Sequence, residues 1–421
     1  MTKANFYRTL QAEIDRIDNA KTAKRHERII EGFRKEEGRA PKGIVQGKSY
    51  MIFNSNDYLG LRHHPKVKAG EQEASEKYGA GPGAVRFISG TLKVHVDLEK
   101  EIARFHDAEA AMVFSSSFAA NMAVIHCFIK GQSRDSVVEN NTLVVSDALN
   151  HRSIIDGIRV AGLPKENKAI FKHLDYDDLK RVLEEHKGKF KRVLVITDGV
   201  FSMLGEYADL AEMKKVCDSY DDAYEEGVIT IVDDAHGIAA MGDRGRGCQD
   251  VTGVLPDLLV ATMGKGIGSD GGYVTGRQVM IDYLRESAAT YIYSNSIAPG
   301  TAGAALVSFR MLQEEEGKAL LAKLKDNITY FRKKAKDAGF RFAVDSIHGI
   351  QPVLIGDPVK TNELTRALFD DGIIATQISY PVVPKGKDEI RIQISAAHTQ
   401  KDLDECVEKM TAAGKKVGLL S

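Results

Sequence analysis

The sequence predicts an α/β protein: a large domain on a mostly parallel sheet of seven strands, then a smaller C-terminal α+β domain. Three observations carry this prediction. Short, almost continuously apolar runs recur between residues 111 and 275. Amphipathic helical patterns fill most of the intervals between them. From about residue 300 the pattern changes to a long helical stretch followed by shorter strands. Strands that are apolar on both faces need helices on both sides, which is the setting of parallel strands.

Taken in order, residues 1–48 read as an N-terminal helix (6–20) and a polar arm. The large domain, 49–299, carries strands near 111–114, 143–146, 169–173, 193–197, 229–233, 258–262 and 272–275. Helical patterns at 119–129, 177–186 and 210–220 separate some of these strands, and Glu139-Asn140-Asn141 reads as a polar loop. The small domain, 300–421, is helical over 300–338, has strands at 351–355, 373–378 and 390–395, and ends in a helix at 400–415.

Bulk properties narrow the function. A chain of 421 residues with net charge −1 has ample length for a large core and lacks the imbalance of a nucleic-acid or membrane-surface binder. The basic cluster at 21–25 is local. No apolar run reaches membrane-span length, and the polar N-terminus has no signal-peptide core. Cys127, Cys217, Cys248 and Cys406 are scattered, so a cytoplasmic, disulfide-free enzyme is expected. No HExxH or His/Cys ligand spacing occurs, so no metal site is expected.

The candidate chemistry sits at strand ends, where open α/β sheets bind ligands. Lys265 lies in Thr262-Met263-Gly264-Lys265-Gly266-Ile267-Gly268, between an apolar run and a glycine-rich turn. Such a lysine can hold an aldehyde cofactor as a Schiff base, because a neutral amine must attack and later be displaced. It is not a P-loop lysine: Leu259 occupies the place of the first glycine and Gly266 that of the Ser/Thr. Asp233-Asp234-Ala235-His236 follows the strand at 228–232. A carboxylate there suits a protonated pyridine nitrogen, and the histidine suits a ring oxygen.

Ser115-Ser116-Ser117-Phe118 closes the first strand and opens a helix whose free N–H groups suit a phosphate, although taken alone a serine cap explains it. His151 follows the second strand and can stack on a flat ring. Ser202, after the strand at 193–197, can donate to a ring or phosphate oxygen. Taken alone, each is more ordinary as a packing or turn residue. Gly79-Ala80-Gly81-Pro82-Gly83 follows no strand and contains a proline, which excludes a dinucleotide fingerprint.

Together with Asn56-Asp57-Tyr58-Leu59-Gly60-Leu61, Arg86-Phe87-Ile88-Ser89-Gly90-Thr91, Ser146-Asp147-Ala148-Leu149-Asn150-His151 and Ser294-Asn295-Ser296, these segments resemble the α-oxoamine synthase family. Its members are fold-type I enzymes dependent on pyridoxal 5′-phosphate (PLP). Within the family, the segments 147–151, 197–203, 380–386 and 395–399 are most similar to the glycine C-acetyltransferase branch. The resemblance implies acyl transfer from acetyl-CoA to glycine, giving 2-amino-3-oxobutyrate in threonine catabolism, by a homodimer with a shared active site. It makes Lys265 the Schiff-base lysine and general base, Asp233 the partner of the pyridine nitrogen and His236 that of the ring oxygen. His151 stacks on the ring, and Ser117, Phe118 and Thr262 line the phosphate site. Ser294 of the partner subunit and Asn295 of the partner subunit reach the same phosphate. Arg391 and Asn56 hold the amino-acid carboxylate, and Arg28 lies near the acyl substrate.

Some segments depart from that branch. Phe118-Ala119-Ala120-Asn121 and Ser55-Asn56-Asp57-Tyr58 look more like 8-amino-7-oxononanoate synthases, and Leu204 stands where acetyltransferases carry Asp. The loop at 130–141 is longer than usual, and Ser269-Asp270 alters the turn after Lys265. A longer acyl-CoA, as in the 8-amino-7-oxononanoate synthase or serine palmitoyltransferase type, therefore stays open as the alternative. An aminotransferase and a non-catalytic synthase subunit are further rivals, and the lysine counts against the latter.

Overall fold

In the computed structural model, residues 2–20, 22–380 and 382–420 are described. Lys21 of the basic cluster and Pro381 of the 380–386 segment lie outside them. A helix at Thr2–Asn19 leads to β1 (Gly32–Arg34), β2 (Lys42–Val45) and β3 (Lys48–Ile52). The arm expected to be merely polar thus contains strands. Only β2 alternates between partly buried and buried, β1 has no buried residue, β3 starts exposed, and the strands include Lys42 and Lys48, a weaker apolar signal than that of the central runs.

The seven expected strands form one sheet: β4 (Ala110–Phe114), β5 (Thr142–Asp147), β6 (Lys168–Phe171), β7 (Arg192–Asp198), β8 (Val228–Asp233), β9 (Leu258–Thr262) and β10 (Gly272–Gly276). Their order is β4-β10-β9-β8-β7-β5-β6, and only β10 runs antiparallel to its neighbours. The reason for the apolar runs is visible in β7. Val193 and Val195 face one apolar layer, while Leu194 and Ile196 face the other. The register sets Asp198 of β7 directly beside Asp233 of β8, so two acids share the carboxyl edge of the sheet.

The C-terminal region adds β11 (Arg341–Phe342), β12 (Ile350–Leu354), β13 (Ile373–Ile374), β14 (Thr376–Ile378) and β15 (Glu389–Gln393). Strands β11-β12-β15-β14 form an antiparallel sheet, and β13 joins β3 in parallel. The run expected as one strand over 373–378 therefore splits at Ala375 and serves two sheets. The helical stretch at 300–338 is likewise two helices, Pro299–Leu312 and Glu315–Asp337. Glu314 between them is extended (φ −99°, ψ 168°), and Gln-Glu-Glu gives no local sign of that break because all three favour helix.

Candidate active site

Asp233 ends the buried strand β8 and is almost wholly inaccessible (4% exposed). Its carboxylate accepts hydrogen bonds from Asn121 Nδ2 (2.6 Å) and from the Ala235 N–H (3.1 Å). The same Asn121 Nδ2 donates to Ser153 Oγ at 2.9 Å, and Ser153 Oγ lies 2.8 Å from His151 Nδ1. One hydrogen-bonded chain therefore links the acid to the histidine across three elements. His151 is further fixed by its backbone N–H, which donates to Asp198 Oδ2 at 2.8 Å. Asn150, one residue earlier, ties down the neighbouring strand: its Nδ2 donates to Ile196 O, and its Oδ1 accepts from Asp198 N, both at 2.8 Å.

Lys265 sits on a turn that closes on itself. Gly268 N donates to Lys265 O, and Ser269 N donates to Met263 O, both at 2.9 Å. Gly268 has φ +71°, and a Cβ there would come within 2.4 Å of Arg62 N, so glycine is required by backbone and by space. The half-buried amine has its pKa pulled down by burial, against the charges of Asp233 and Asp198. Burial pushes Asp233 up, and Lys265 and Asn121 act the other way. Asp198 is raised well above the ordinary carboxylate range by burial and by Asp233. His151 is lowered by burial, with Asp233 opposing and Lys265 assisting. A lysine shifted toward neutrality beside a buried acid is the electrostatic pattern of a reactive amine.

The opposite wall comes from β15 and the segment after β3. His236 Nδ1 lies 2.8 Å from the Tyr58 hydroxyl, and burial and Lys265 hold the imidazole well below its ordinary pKa, hence neutral. Arg391 Nη1 donates to Ser202 O at 2.5 Å. Its Nε is buried without a hydrogen-bond partner, as are both carboxyl oxygens of Glu389 and Oε1 of Gln393. Gln393 Nε2 bonds to Asn56 Oδ1, which also lies 3.3 Å from the Tyr58 hydroxyl.

Beyond the carboxyl end of β4, Ser116 caps the helix Ser117–Ile129 by accepting from Ala119 N at 3.1 Å, which leaves the Ser117 hydroxyl free of capping. Gly272 of β10 lets this turn approach the sheet: a Cβ there would lie 2.2 Å from Ser117 N. Gly272 pairs with Thr262, so the Ser117 turn lies across β10 from Thr262. The Thr262 hydroxyl donates to Gly271 O (2.9 Å) and accepts from Gly264 N (3.1 Å), bracing the lysine turn.

Lys265, Asp233, His236, His151 and Arg391 thus form one electrostatically connected group; Ser202 O is bonded to Arg391 directly, and Asn56 reaches His236 by way of Tyr58. Phe118 lies exposed at the mouth of its helix. Ser294 and Asn295 line a narrow cleft with Ser115 and Arg86 of their own chain. Arg28 is on the outside, exposed and stacked over Phe369 at 4.2 Å. The sequence reading assigned no role to Asn121, Ser153, Tyr58 or Glu389. Asn121 and Tyr58 stand inside the segments 118–121 and 55–58, whereas nothing local marks Ser153 or Glu389. The donor set fits PLP: an amine of depressed pKa, a buried acid with no basic side chain hydrogen-bonded to it, and a helix N-terminus approached over a glycine.

Comparison with known proteins agrees with this geometry. A family model described as aminotransferase class I and II matches residues 48–410. An 8-amino-7-oxononanoate synthase from Thermoanaerobacter pseudethanolicus is 39% identical over 388 residues, covering 91% of this chain and 93% of its own. 8-Amino-7-oxononanoate synthase 1 from Bacillus velezensis is 37% identical over 413 residues, 98% of each chain. Serine palmitoyltransferase from S. paucimobilis, solved with a bound PLP–myriocin aldimine, superposes with TM-score 0.84 at 26% identity over 99% of each chain. These relatives overturn the expected glycine C-acetyltransferase of threonine catabolism acting on acetyl-CoA, and favour the longer-acyl alternative. The physical reason is that several side chains in the segments behind that expectation are scaffold. Asp147 and Asn150 bond loop and strand backbone, and Ser395 N donates to His398 Nδ1. Such contacts are indifferent to the length of an acyl chain.

Proposed function

We propose a function from a fixed premise: this chain belongs to the aminotransferase class I and II family of fold-type I, PLP-dependent enzymes, and is of α-oxoamine synthase type. It condenses a small amino acid with an acyl-CoA longer than acetyl, after the manner of an 8-amino-7-oxononanoate synthase. The product in that name sets the substrates by carbon count. Cutting 8-amino-7-oxononanoate between the ketone and amine carbons leaves a seven-carbon dicarboxylic acyl group and the two-carbon remainder of alanine. Pimeloyl-CoA plus alanine, less carbon dioxide and CoA, balances. The observation that carries the reading is the convergence of Lys265, Asp233, His236 and Arg391 on one site.

When bound, PLP supplies an electron sink for bonds broken at the amino acid's α-carbon. The chain's residues do the rest. Asp233, held by Asn121, places a negative charge where a ring N–H must stay protonated. His236 is neutral; with its Nδ1 against the Tyr58 hydroxyl, Nε2 is the nitrogen that serves a ring oxygen. His151 is the stacking face, Ser202 a further donor, and Ser117, Phe118 and Thr262 the phosphate end. Arg391 presents a buried N–H to a carboxylate, with Asn56 beside it. Lys265, of lowered pKa, accepts and returns the proton at the α-carbon. Residues 49–299 form the cofactor unit, 300–421 the small unit and 1–48 an arm. The enzyme is a cytoplasmic homodimer in which Ser294 of the partner subunit and Asn295 of the partner subunit complete the phosphate end, and Arg28 guides the acyl substrate.

The test is thiol release from acetyl-, succinyl-, pimeloyl- and palmitoyl-CoA with glycine, alanine or serine. Pimeloyl-CoA with alanine should give the highest kcat/KM. A higher value for palmitoyl-CoA with serine would move the chain to the palmitoyltransferase type. Ketone formation without thiol release would make it an aminotransferase.

A further inference from the structure

Alternation along β15 sets Glu389, Arg391 and Gln393 on one face. Glu389 is fully buried, and neither carboxyl oxygen has a hydrogen-bond partner. Two residues away, Arg391 Nε is buried and equally unpartnered, while Nη1 is committed to Ser202 O. An acid and a base each keep an unused buried group within one repeat of the same strand. Leaving a buried charge unpaired is costly, so Glu389 is stable there only as the neutral acid or as a partner of Arg391.

The other neighbours of Glu389 sharpen this choice. Leu354 of β12 and Ile378 of β14 stand opposite it in the sheet and offer no polar group. Glu206, from the loop after β7, faces it with a like charge and is itself bonded to His173 Nε2 at 3.2 Å. Burial and Glu206 together hold the Glu389 carboxyl up to about 8, and Arg391 pulls the other way. Around the guanidinium stand Tyr58, Lys265, His236 and His348, none of which is hydrogen-bonded to it.

We propose that Glu389 is a positioning residue that, once ionised, captures Arg391 and competes with the substrate's carboxylate for it. This rests on the reading of Arg391 as the carboxylate clamp. In neutral solution the protonated acid leaves the guanidinium available. In alkaline solution the carboxylate becomes an internal competitor, so anionic substrate and the Glu389 proton bind together.

The experiment follows the inhibition constant of propionate, a carboxylate without an amino group, and the KM of the amino-acid substrate across pH in the holoenzyme. In the unsubstituted protein both should rise about tenfold between about pH 7 and about pH 9, the factor for one ionisation near 8. Glu389→Gln should flatten the rise in the propionate constant and remove the Glu389 contribution to KM, with the change in KM rather than kcat, and Glu389→Asp should restore part of it. Glu206→Gln leaves Glu389 in place and should move the rise to lower pH, which keeps the test valid if Glu389→Gln does not fold. A propionate profile unchanged by Glu389→Gln, or unmoved by Glu206→Gln, overturns the proposal. Normal propionate binding in Arg391→Ala would instead overturn the clamp reading itself.

Discussion

The two walls of the site are built differently. On the sheet edge, Asp233, Asn121, Ser153 and His151 bond one another, with Asn121 Oδ1 alone of the four side chains' buried polar atoms lacking a partner, and Asp198 and Asn150 lock the adjoining loop. On the β15 wall, Arg391, Glu389 and Gln393 keep buried polar atoms without partners. Satisfied buried networks are rigid, and unsatisfied ones raise the energy of the protein until something meets them. On the proposed function, the sheet edge is therefore a preorganised seat for the cofactor. On the same proposal, the β15 wall is matched to a ligand that comes and goes, and the carboxylate of an amino acid is the complement of its guanidinium.

Variants on either wall can break this contrast. The largest effect is expected at the join between them: Lys265→Ala should lower turnover, read by thiol release, by more than about 10³-fold, since covalent attachment and proton transfer are lost together. Residual turnover within tenfold of the unsubstituted enzyme would remove Lys265 from the chemistry. Asn121→Ala strips one hydrogen bond from a buried carboxylate, worth roughly 1.5–3 kcal/mol, so PLP should bind about ten- to a hundredfold more weakly while amino-acid saturation holds. Equal losses in both would mean that the seat is not independent of the β15 wall.

The smallest expected effect lies in the bridge between the walls. His173 contacts Asp147 at 3.0 Å and Glu206 at 3.2 Å. Burial lowers its pKa, but the two acids raise it to about 9. A raised pKa means that its stabilisation is complete below the ordinary histidine value and lost as pH rises through about 9. His173→Gln should cost about 1–2 kcal/mol near neutral pH, allowing for partial solvent screening, and little above that limit. Thermal melts at both ends of the range test it; a penalty independent of pH would make the histidine a packing residue.

The same contrast explains what the sequence disclosed. The seven strands of the main sheet were legible because each is buried on both faces, as Val193–Ile196 show. Lys265, Asp233 and His236 stood out as candidates because strand ends collect chemistry and the flanking residues are local in sequence. Asn121 reaches Asp233 across 112 positions, so its role depended on how β8 and the helix Ser117–Ile129 pack. Glu389 looked like an ordinary charged strand residue; only the neighbouring strands and the loop carrying Glu206 bury it. The choice of acyl donor was misjudged for a related reason. Apart from His151, segments 147–151 and 395–399 shape the backbone of the site, whereas Asn121, Asn56 and Tyr58, inside the segments closer to the 8-amino-7-oxononanoate synthases, face it.

The division between a cofactor seat and a substrate clamp is tested most directly by Arg391→Ala, measuring the amino-acid KM beside the dissociation constant of PLP. Removing one side of a buried, hydrogen-bonded charge pair costs roughly 2–5 kcal/mol, so KM should rise about a hundredfold while the PLP constant stays within about twofold. Unchanged amino-acid saturation, or a parallel loss of PLP, would contradict the account.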